Sequence, residues 1–568
     1  MDLDTLRHSC SHVMAQAVKE LWPEVKLGIG PSIEDGFYYD FDKKEPFTET
    51  DLSLIEEKMK KIIAKDAPFI PEQVSKEQAI RLFTQLNEDY KVELINALAD
   101  EKVTIYKTGK DFIDLCRGPH VESTGKIKAF KLLSVAGAYW HGIETNPMLQ
   151  RIYGTCFETQ KELDEYLKNL EEAKKRDHRR LGPQLEIFDL YPEEAGAGLV
   201  FYYPKGAILR TIIEDYLKRE HLIRGYQQVI TPHIMGAGLW RTSGHYEYYL
   251  ANMYTFKIED KEFVLKPMNC PGHILIYKSK LRSYRELPFR LFELGTVYRH
   301  EKAGVLHGLL RVRGFTQDDA HIFCAPEQLK SEIVGIIDFV SEAMADFGFL
   351  DLAIELSTRP EKSIGTDSDW QEATGALEES LKNKNLRFKI NPQEGAFYGP
   401  KIDIKIKDAL KREWQCATIQ CDFALPARFN LKFIDSKGLA KQPIMLHRVI
   451  LGSLERFIGV LIEHYAGGLP LWLAPVQIIV IPIKDAFWGY AKKVLDILSG
   501  GGFRVNIDSR NETLEKRIRE AEIEKVPYIL VVGEREAKQN TVSVRKRGKG
   551  DVGAMAIEDF VKEIKEEM

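Results

Sequence analysis

The sequence predicts a multidomain chain of mixed class, α+β through most of its length and α/β at its end. Three observations carry that prediction. At 568 residues, 44% hydrophobic and 29% charged, the chain is long enough for several separately packed cores, about four by the usual domain length. Residues 1–165 and 186–472 each mix helical with strand-like apolar patterns. Beyond Pro470 and Pro475, strands and helices alternate, as in a doubly wound sheet.

In chain order, 6–21 reads as an amphipathic helix stopped by Trp22-Pro23. Segments 28–32 and 36–42 read as short strands. Residues 161–180, KELDEYLKNLEEAKKRDHRR, read as one charged helix ended by Gly182-Pro183, a connector with a basic end. Helices are predicted at 208–224 and 329–347, and strands at 263–265, 290–299, 401–406 and 431–434. The last unit reads strand 476–483, helix 487–498 ended by three glycines, strand 503–507, helix 513–525, strand 528–532 and a terminal helix at 557–567.

Composition excludes some functions. The start, MDLDTLRHSC, lacks a basic stretch followed by an apolar one, so no secretory signal is expected. The most apolar run, 476–483, is too short for a bilayer, so no membrane role is expected. Seven cysteines without regular spacing point to reduced thiols and the cytoplasm. A net charge of −5 does not advertise nucleic acid, so an RNA would have to meet local patches. The run RKRGK from Arg545 and the connector's KKRDHRR are the candidates.

Several segments carry chemistry. Cys270 lies in KPMNCPGH, His321 ends RVRGFTQDDAH and His447 opens HRVILGSLER. One thiolate and two imidazoles suit a zinc ion with an open fourth position, although no short spacing joins them. His8 and His12, at i and i+4, share a helix face, and Cys116 and His120 stand in DLCRGPH. From spacing alone those four suit a second zinc site. The strongest signal is FELGTVYRHEKAGVLHGLLRVRGFTQDDAH. It reads as a strand carrying Arg299 and Glu301, a loop, and a strand whose alternation puts Arg311, Arg313, Phe315, Gln317 and Asp319 on one face. Such a row suits an anion, a flat base and an amine together.

That segment resembles motif 2 of the class II aminoacyl-tRNA synthetases. GYQQVITPHIMGAGLWRTSGH, with Pro232, is similar to their motif 1, and GSLERFIGVLIEHY, with Gly452, Glu455 and Arg456, to their motif 3. With KPMNCPGH and QDDAHIF, the resemblance narrows to the threonyl branch of class IIa and covers essentially the whole chain. It implies an α+β editing domain at 1–165, a linker helix at 166–185, an antiparallel-sheet catalytic domain at 186–472 and an α/β anticodon-binding domain at 473–568. Longer members carry a small ubiquitin-like module before the HSCSH helix; here seven residues precede His8, so a form lacking that module is expected.

The implied reaction is ATP-dependent ligation of L-threonine to tRNA(Thr) through threonyl-adenylate, with Mg2+ accompanying ATP and no protein nucleophile. Arg299 is implied to bind the α-phosphate and the amino-acid carboxylate, and Arg456 the γ-phosphate. Phe315 is implied to stack on adenine, with Arg311 and Glu301 beside the nucleotide. His245 is a candidate for assisting transfer to tRNA. One Zn2+ per subunit, on Cys270, His321 and His447, would take the amino group and hydroxyl of threonine. Asp319 would accept that hydroxyl's proton in a hydrogen bond. Gln317, Tyr398 and Gln420 would complete the pocket, while Cys416 and Cys421 read as packing residues. A site that must bind a hydroxyl can reject valine by roughly 10⁴ or more, whereas serine, short of one methyl, differs by only about 1–3 kcal/mol. A correction site is therefore implied. The N-terminal region resembles the editing domain shared by threonyl and alanyl enzymes. There His8, His12, Cys116 and His120, helped by Asp114, Lys91 and Tyr39, are implied to hydrolyse Ser-tRNA through bound water without metal. Asn511, Glu536 and Arg545 match anticodon-reading positions, and a homodimer through the Pro232 region is implied.

Overall fold

In the computed structural model, which describes residues 2–109, 112–143 and 145–568, helix α1 (Leu3–Leu21) starts at Asp2, whose carboxylate accepts the N–H groups of Asp4 and Thr5. The chain divides into two units, Met1–Glu172 and Ala173–Met568. The first contains β1 (Gly36–Asp42), β2 (Phe69–Ser75), β3 (Lys102–Thr108), β4 (Phe112–Leu115), β5 (Ala129–Tyr139) and β6 (Met148–Phe157). β1, β6 and β5 pair antiparallel in that order. The Leu6, Cys10, Val13, Met14 and Ala17 side of α1 buries against Phe37, Phe41 and Ile152 of this sheet. β2, β3 and β4 make a second antiparallel sheet. The predicted strand at 28–32 is corrected: strands occupy only Lys26–Leu27 and Ser32–Ile33. Between them Gly30 lies on the Tyr39 ring, where a Cβ would fall 2.0 Å from Cδ2.

The predicted single helix at 161–180 is also corrected. It is two helices, Gln160–Arg176 and His178–Gln184, broken at Asp177. Asp177 leaves the helical region (φ −50°, ψ 117°) and its carboxylate caps the second helix at the Arg179 N–H. The second helix runs through Gly182-Pro183, so these residues do not end it at 182.

The centre of the second unit contains α2 (Pro204–Ile223), α3 (Cys270–Lys278), β7 (Phe289–Tyr298), β8 (Gly314–Cys324), β9 (Leu352–Ser357), β10 (Lys401–Lys407), β11 (Glu413–Asp422), β12 (Ile444–Val449) and α4 (Leu454–His464). An eight-stranded sheet has the order Gln227–Gln228, β7, β8, β12, β11, β10, β9, Lys389–Asn391. Its six inner strands are antiparallel throughout, and only the two edge strands pair parallel. Helix Leu329–Asp346 and α4 supply Ile333, Val340, Phe457 and Leu461 to its core. Cross-strand register sets His321 opposite His447, and His447 opposite Gln420. Directly opposed residues point to the same face, so three neighbouring strands present these side chains together.

The motif 2 reading is corrected at its edges. β7 ends at Tyr298, so Arg299 and Glu301 follow it, and β8 begins at Gly314, so Arg311 and Arg313 precede it. The Arg313 N–H donates to the Gly198 carbonyl at 2.8 Å, while its own carbonyl accepts the Arg299 N–H at 2.8 Å. Between the two strands Leu309 and Leu310 are buried. Phe315, Gln317 and Asp319 do share a face of β8.

The last region contains β13 (Ile478–Pro482), β14 (Val505–Ile507), β15 (Tyr528–Val532), β16 (Thr541–Lys546) and β17 (Gly550–Ala556), in the order β14-β13-β15-β16-β17. The first three are parallel, as a doubly wound reading requires, and the β16–β17 hairpin is added antiparallel. Among the described residues no helix is long and apolar enough to cross a membrane.

Candidate active sites

A cavity in the second unit opens on the face of the eight-stranded sheet where the registered residues meet. Cys270, Arg299, Gln317, Asp319, His321, Tyr398, Gln420 and His447, all singled out from sequence, line it with Met268 and Thr418. Cys270 comes from the start of α3, beside Pro271, which is tolerated in a first helical turn. The ligand atoms of Cys270, His321 and His447 lie within 4.8 Å of one another, and all three residues are buried. His321 Nε2 and His447 Nδ1 are 3.1 Å apart. Two nitrogens bound tetrahedrally at about 2.0–2.1 Å would be separated by roughly 3.4 Å. One sulfur and two nitrogens at this spacing fit zinc with a position left open.

The substrate side is polar. The Tyr398 hydroxyl donates to Gln420 Oε1 at 2.5 Å. Asp319 accepts from Asn269 Nδ2 at 3.1 Å. Arg299 is held by its Nε–H bond to the Pro267 carbonyl at 3.2 Å, with its guanidinium 5.1 Å from the Phe315 ring centre. Arg456 Nε donates to the Leu310 carbonyl at 3.2 Å. Burial pushes the Arg456 guanidinium down, and nearby Arg299 and Arg311 push it further the same way. Glu301 pairs with Arg311 at 2.9 Å. Three converging cations with one carboxylate among them make a site ready for polyphosphate. His245 does not line the cavity. It is buried, bonded through Nδ1 to Ser243 Oγ at 2.7 Å, and held down to about 4 by burial, then by His447, Arg299 and Arg428.

Motif 3 is fastened to motif 2 by Asp318, which is fully buried and accepts the backbone N–H groups of Ile450, Leu451 and Gly452 at 2.7, 3.2 and 2.9 Å. Gly452 has φ +81°, and a Cβ there would fall 2.8 Å from the Cys416 carbonyl. Cys416 and Cys421 are buried in the core, as packing residues should be. His178, in the connector, is buried between three parts of the unit. Its Nδ1–H donates to Glu463 at 2.6 Å, and its Nε2 accepts the Leu309 N–H at 3.0 Å. With both nitrogens satisfied, the grouping of Asp177, His178 and Glu463 reads as a structural tie.

The first unit brings together all seven residues expected there. Cys116 Sγ lies 3.3 Å from His8 Nε2 and 3.2 Å from His120 Nε2. His12 Nδ1 is 3.1 Å from Asp114, which also takes Lys91 at 2.5 Å and the Tyr39 hydroxyl at 2.6 Å. Burial opposes charge on His12, but Asp114 outweighs it and raises the imidazole to about 9. Burial likewise opposes a Cys116 thiolate, but bonds from His12, His120 and His8 bring it down to about 3. His120 is held at about 4 by burial. Near neutral pH the site therefore pairs a thiolate and a carboxylate with the His12 imidazolium, and leaves His120 as a neutral base. Ser9, which sequence reasoning missed, accepts the Val121 N–H and contacts His120 Nδ1 at 3.1 Å. Its position next to His8 in HSCSH was the available signal.

The anticodon candidates do not converge. Asn511 and Glu536 follow the C-terminal ends of β14 and β15, whereas Arg545 lies on β16 opposite Ile529, near the other end of β15. Arg545 is 3.5 Å from Glu522, and Glu536 caps the Gly533 N–H at 2.9 Å. Much of the basic runs is engaged internally. Lys546 pairs with Glu567, Arg547 with the carbonyls of Lys525 and Leu469, and Arg176 with those of Glu463 and His464.

Comparison with known proteins identifies the family and its domains. Residues 254–465 match the tRNA synthetase class II core domain (G, H, P, S and T), 477–567 an anticodon binding domain, and 103–153 the threonyl and alanyl tRNA synthetase second additional domain. The chain is 58% identical over 565 residues to a threonine–tRNA ligase of Pelobacter propionicus, covering 100% of this chain and 88% of that one. It is 54% identical over 564 residues to the same enzyme of Acetivibrio thermocellus, covering 99% and 88%. A crystal structure of the RNA binding domain of a threonyl-tRNA synthetase from Cryptosporidium parvum superposes with TM-score 0.66 at 43% identity, covering 69% of this chain and 98% of that one. A putative threonyl-tRNA synthetase from Aeropyrum pernix gives TM-score 0.60 at 30% identity, covering 69% and 95%. Fold and site thus define a class II aminoacyl-tRNA synthetase with an editing-type domain and an anticodon-binding domain. At this identity over its whole length, the chain belongs to the threonine–tRNA ligase family of enzymes.

Proposed function

We propose that this chain joins L-threonine to tRNA(Thr) through threonyl-adenylate, selects threonine over valine with zinc, and hydrolyses Ser-tRNA(Thr) in its first unit. The observation that carries the reading is the meeting of the Cys270, His321 and His447 donor atoms, within 4.8 Å, in one cavity with Arg299, Gln317 and Tyr398. Cys270, His321 and His447 would hold a zinc ion, which would supply the Lewis acidity to bind the amino group and side-chain hydroxyl of threonine. Asp319, fixed by Asn269, accepts the hydroxyl's hydrogen bond, which valine cannot make. Arg299 orients the threonine carboxylate against the α-phosphate and stabilises the charge that develops there, Arg456 grips the γ-phosphate, and Phe315 stacks on adenine. Arg311 and Glu301 border the nucleotide, which arrives with Mg2+. His245, neutral and buried, assists transfer to the tRNA ribose.

The functional divisions follow as 1–165, 166–185, 186–472 and 473–568. In the first, His120 and the Cys116 thiolate orient water on the seryl ester, while the His12–Asp114 pair and Lys91 set the local charge. Asn511, Glu536 and Arg545 face the anticodon from separate ends of their sheet. Exposed Ile230 (85%) and Ile223 (69%), near Pro232, support a homodimer. Seven buried, unbridged cysteines support action in the cytoplasm.

The test pairs metal analysis with amino-acid-dependent pyrophosphate exchange. One zinc per chain and exchange with threonine far above valine are expected. No exchange with threonine in the zinc-loaded chain would sink the catalytic reading. Two zinc ions per chain would overturn the metal-free editing site, since His8, His12, Cys116 and His120 also bring four donor atoms within 4.8 Å.

A further inference from the structure

Behind the zinc ligands is a buried chain of hydrogen bonds that the reaction itself does not use. Glu293, on β7, is 3% exposed. It accepts the Thr231 N–H and hydroxyl at 2.9 Å each and the Lys266 ammonium at 3.0 Å. Its Oε2 is 3.2 Å from His273 Nε2, and His273 Nδ1 is 2.8 Å from His321 Nδ1.

The direction of every bond follows from its acid end. A carboxylate only accepts, so His273 Nε2 carries the proton facing Glu293. In the tautomer with its proton on Nε2, His273 Nδ1 is a lone pair that can only accept. The proton between the two histidines therefore belongs to His321 Nδ1, which leaves His321 Nε2 unprotonated. On the other side, Asp422 Oδ2 lies 2.8 Å from His447 Nε2, which makes that nitrogen the donor and leaves His447 Nδ1 bare. The two bare nitrogens are the pair that face each other at 3.1 Å. Two lone pairs at that distance repel unless a cation lies between them. The two relays, one ending in each imidazole, aim both lone pairs at one point beside Cys270.

We propose that His273 and Glu293 are positioning residues which lock His321 in the Nδ1–H form and so present its Nε2 to zinc. This rests on the reading of Cys270, His321 and His447 as ligands, and the experiment separates the two. Replacing His273 by Asn keeps an amide oxygen near the place of Nδ1, whereas Gln puts it near the place of Nε2. In the full chain, zinc affinity by chelator competition should fall about 10–100-fold in His273→Gln and stay near wild type in His273→Asn. Nitrogen-15 histidine spectra of the zinc-loaded wild-type chain should show His321 protonated at Nδ1 and His447 at Nε2. Equal zinc affinity in the two variants, or His321 bound through Nδ1, overturns the proposal. A wild-type chain that takes up no zinc overturns the ligand reading instead. The spectra need no variant, so poor folding of a substituted chain does not leave the question open.

Discussion

A single imidazole can show how burial and charge compete. His12 loses hydration in α1, yet Asp114 at 3.1 Å more than compensates and holds it to about 9. Its free value is 6.5, so the stability from this pairing is complete below about 6.5 and is lost as pH rises through about 9. The melting-temperature difference between the full-length wild type and His12→Gln should be larger at about pH 6 than at about pH 10. A difference that grows with pH would reverse the sign argued here. Replacing His8 and His12 together should leave threonine charging within about twofold while Ser-tRNA(Thr) accumulates. In the other unit, His447→Ala should remove stoichiometric zinc and lower threonine-dependent exchange by about 10³-fold. Residues of this kind were legible because they stand in long, unusual segments. His273, Glu293 and Asp422 were not, since a lone His or acid in an apolar stretch carries no mark of what it faces.

At the scale of elements, register does the assembly. His321, His447 and Gln420 are 126 and 27 positions apart in sequence, yet neighbouring strands set them in one row. Alternation along β8 could be read from sequence, and it correctly grouped Phe315, Gln317 and Asp319. The pairing of β8 with β12 could not, because it depends on which distant strand arrives. The reading failed where local pattern yields to long-range bonds. Arg313 leaves the strand for Gly198, and Asp177 breaks an otherwise helical charged run by capping the next helix. The β16–β17 hairpin was missed because β17, GDVGAMA, has little side-chain pattern to read. Asp318 ties β8 to the entrance of α4 through three backbone N–H groups. Asp318→Ala should leave these buried donors unpaired and cost on the order of 3 kcal/mol, read as a lower urea midpoint, with Asp318→Asn recovering part. An unchanged midpoint in Asp318→Ala would show that the tie contributes nothing.

For the whole molecule, the broad fold class was recoverable from composition and from alternation at the C-terminal end. The catalytic sheet was recoverable only through three motifs in order. The homodimer proposed above rests on the surface: Ile230 and Ile223 are too exposed to serve the monomer's own core. Ile230→Asp should weaken self-association by about 30-fold or more, measured by sedimentation against concentration. A wild-type chain that sediments as a monomer at micromolar concentration would end the dimer reading.

The His178 ring has a further consequence. It secures the Leu309 N–H with one nitrogen and Glu463 with the other, and Gly308 beside it could not carry a Cβ, which would fall 2.1 Å from Nε2. The stem of the loop between β7 and β8, proposed above to meet the phosphates, is thus riveted in the free chain. Ordering that stem is part of folding, so ATP binding does not incur its entropic cost again.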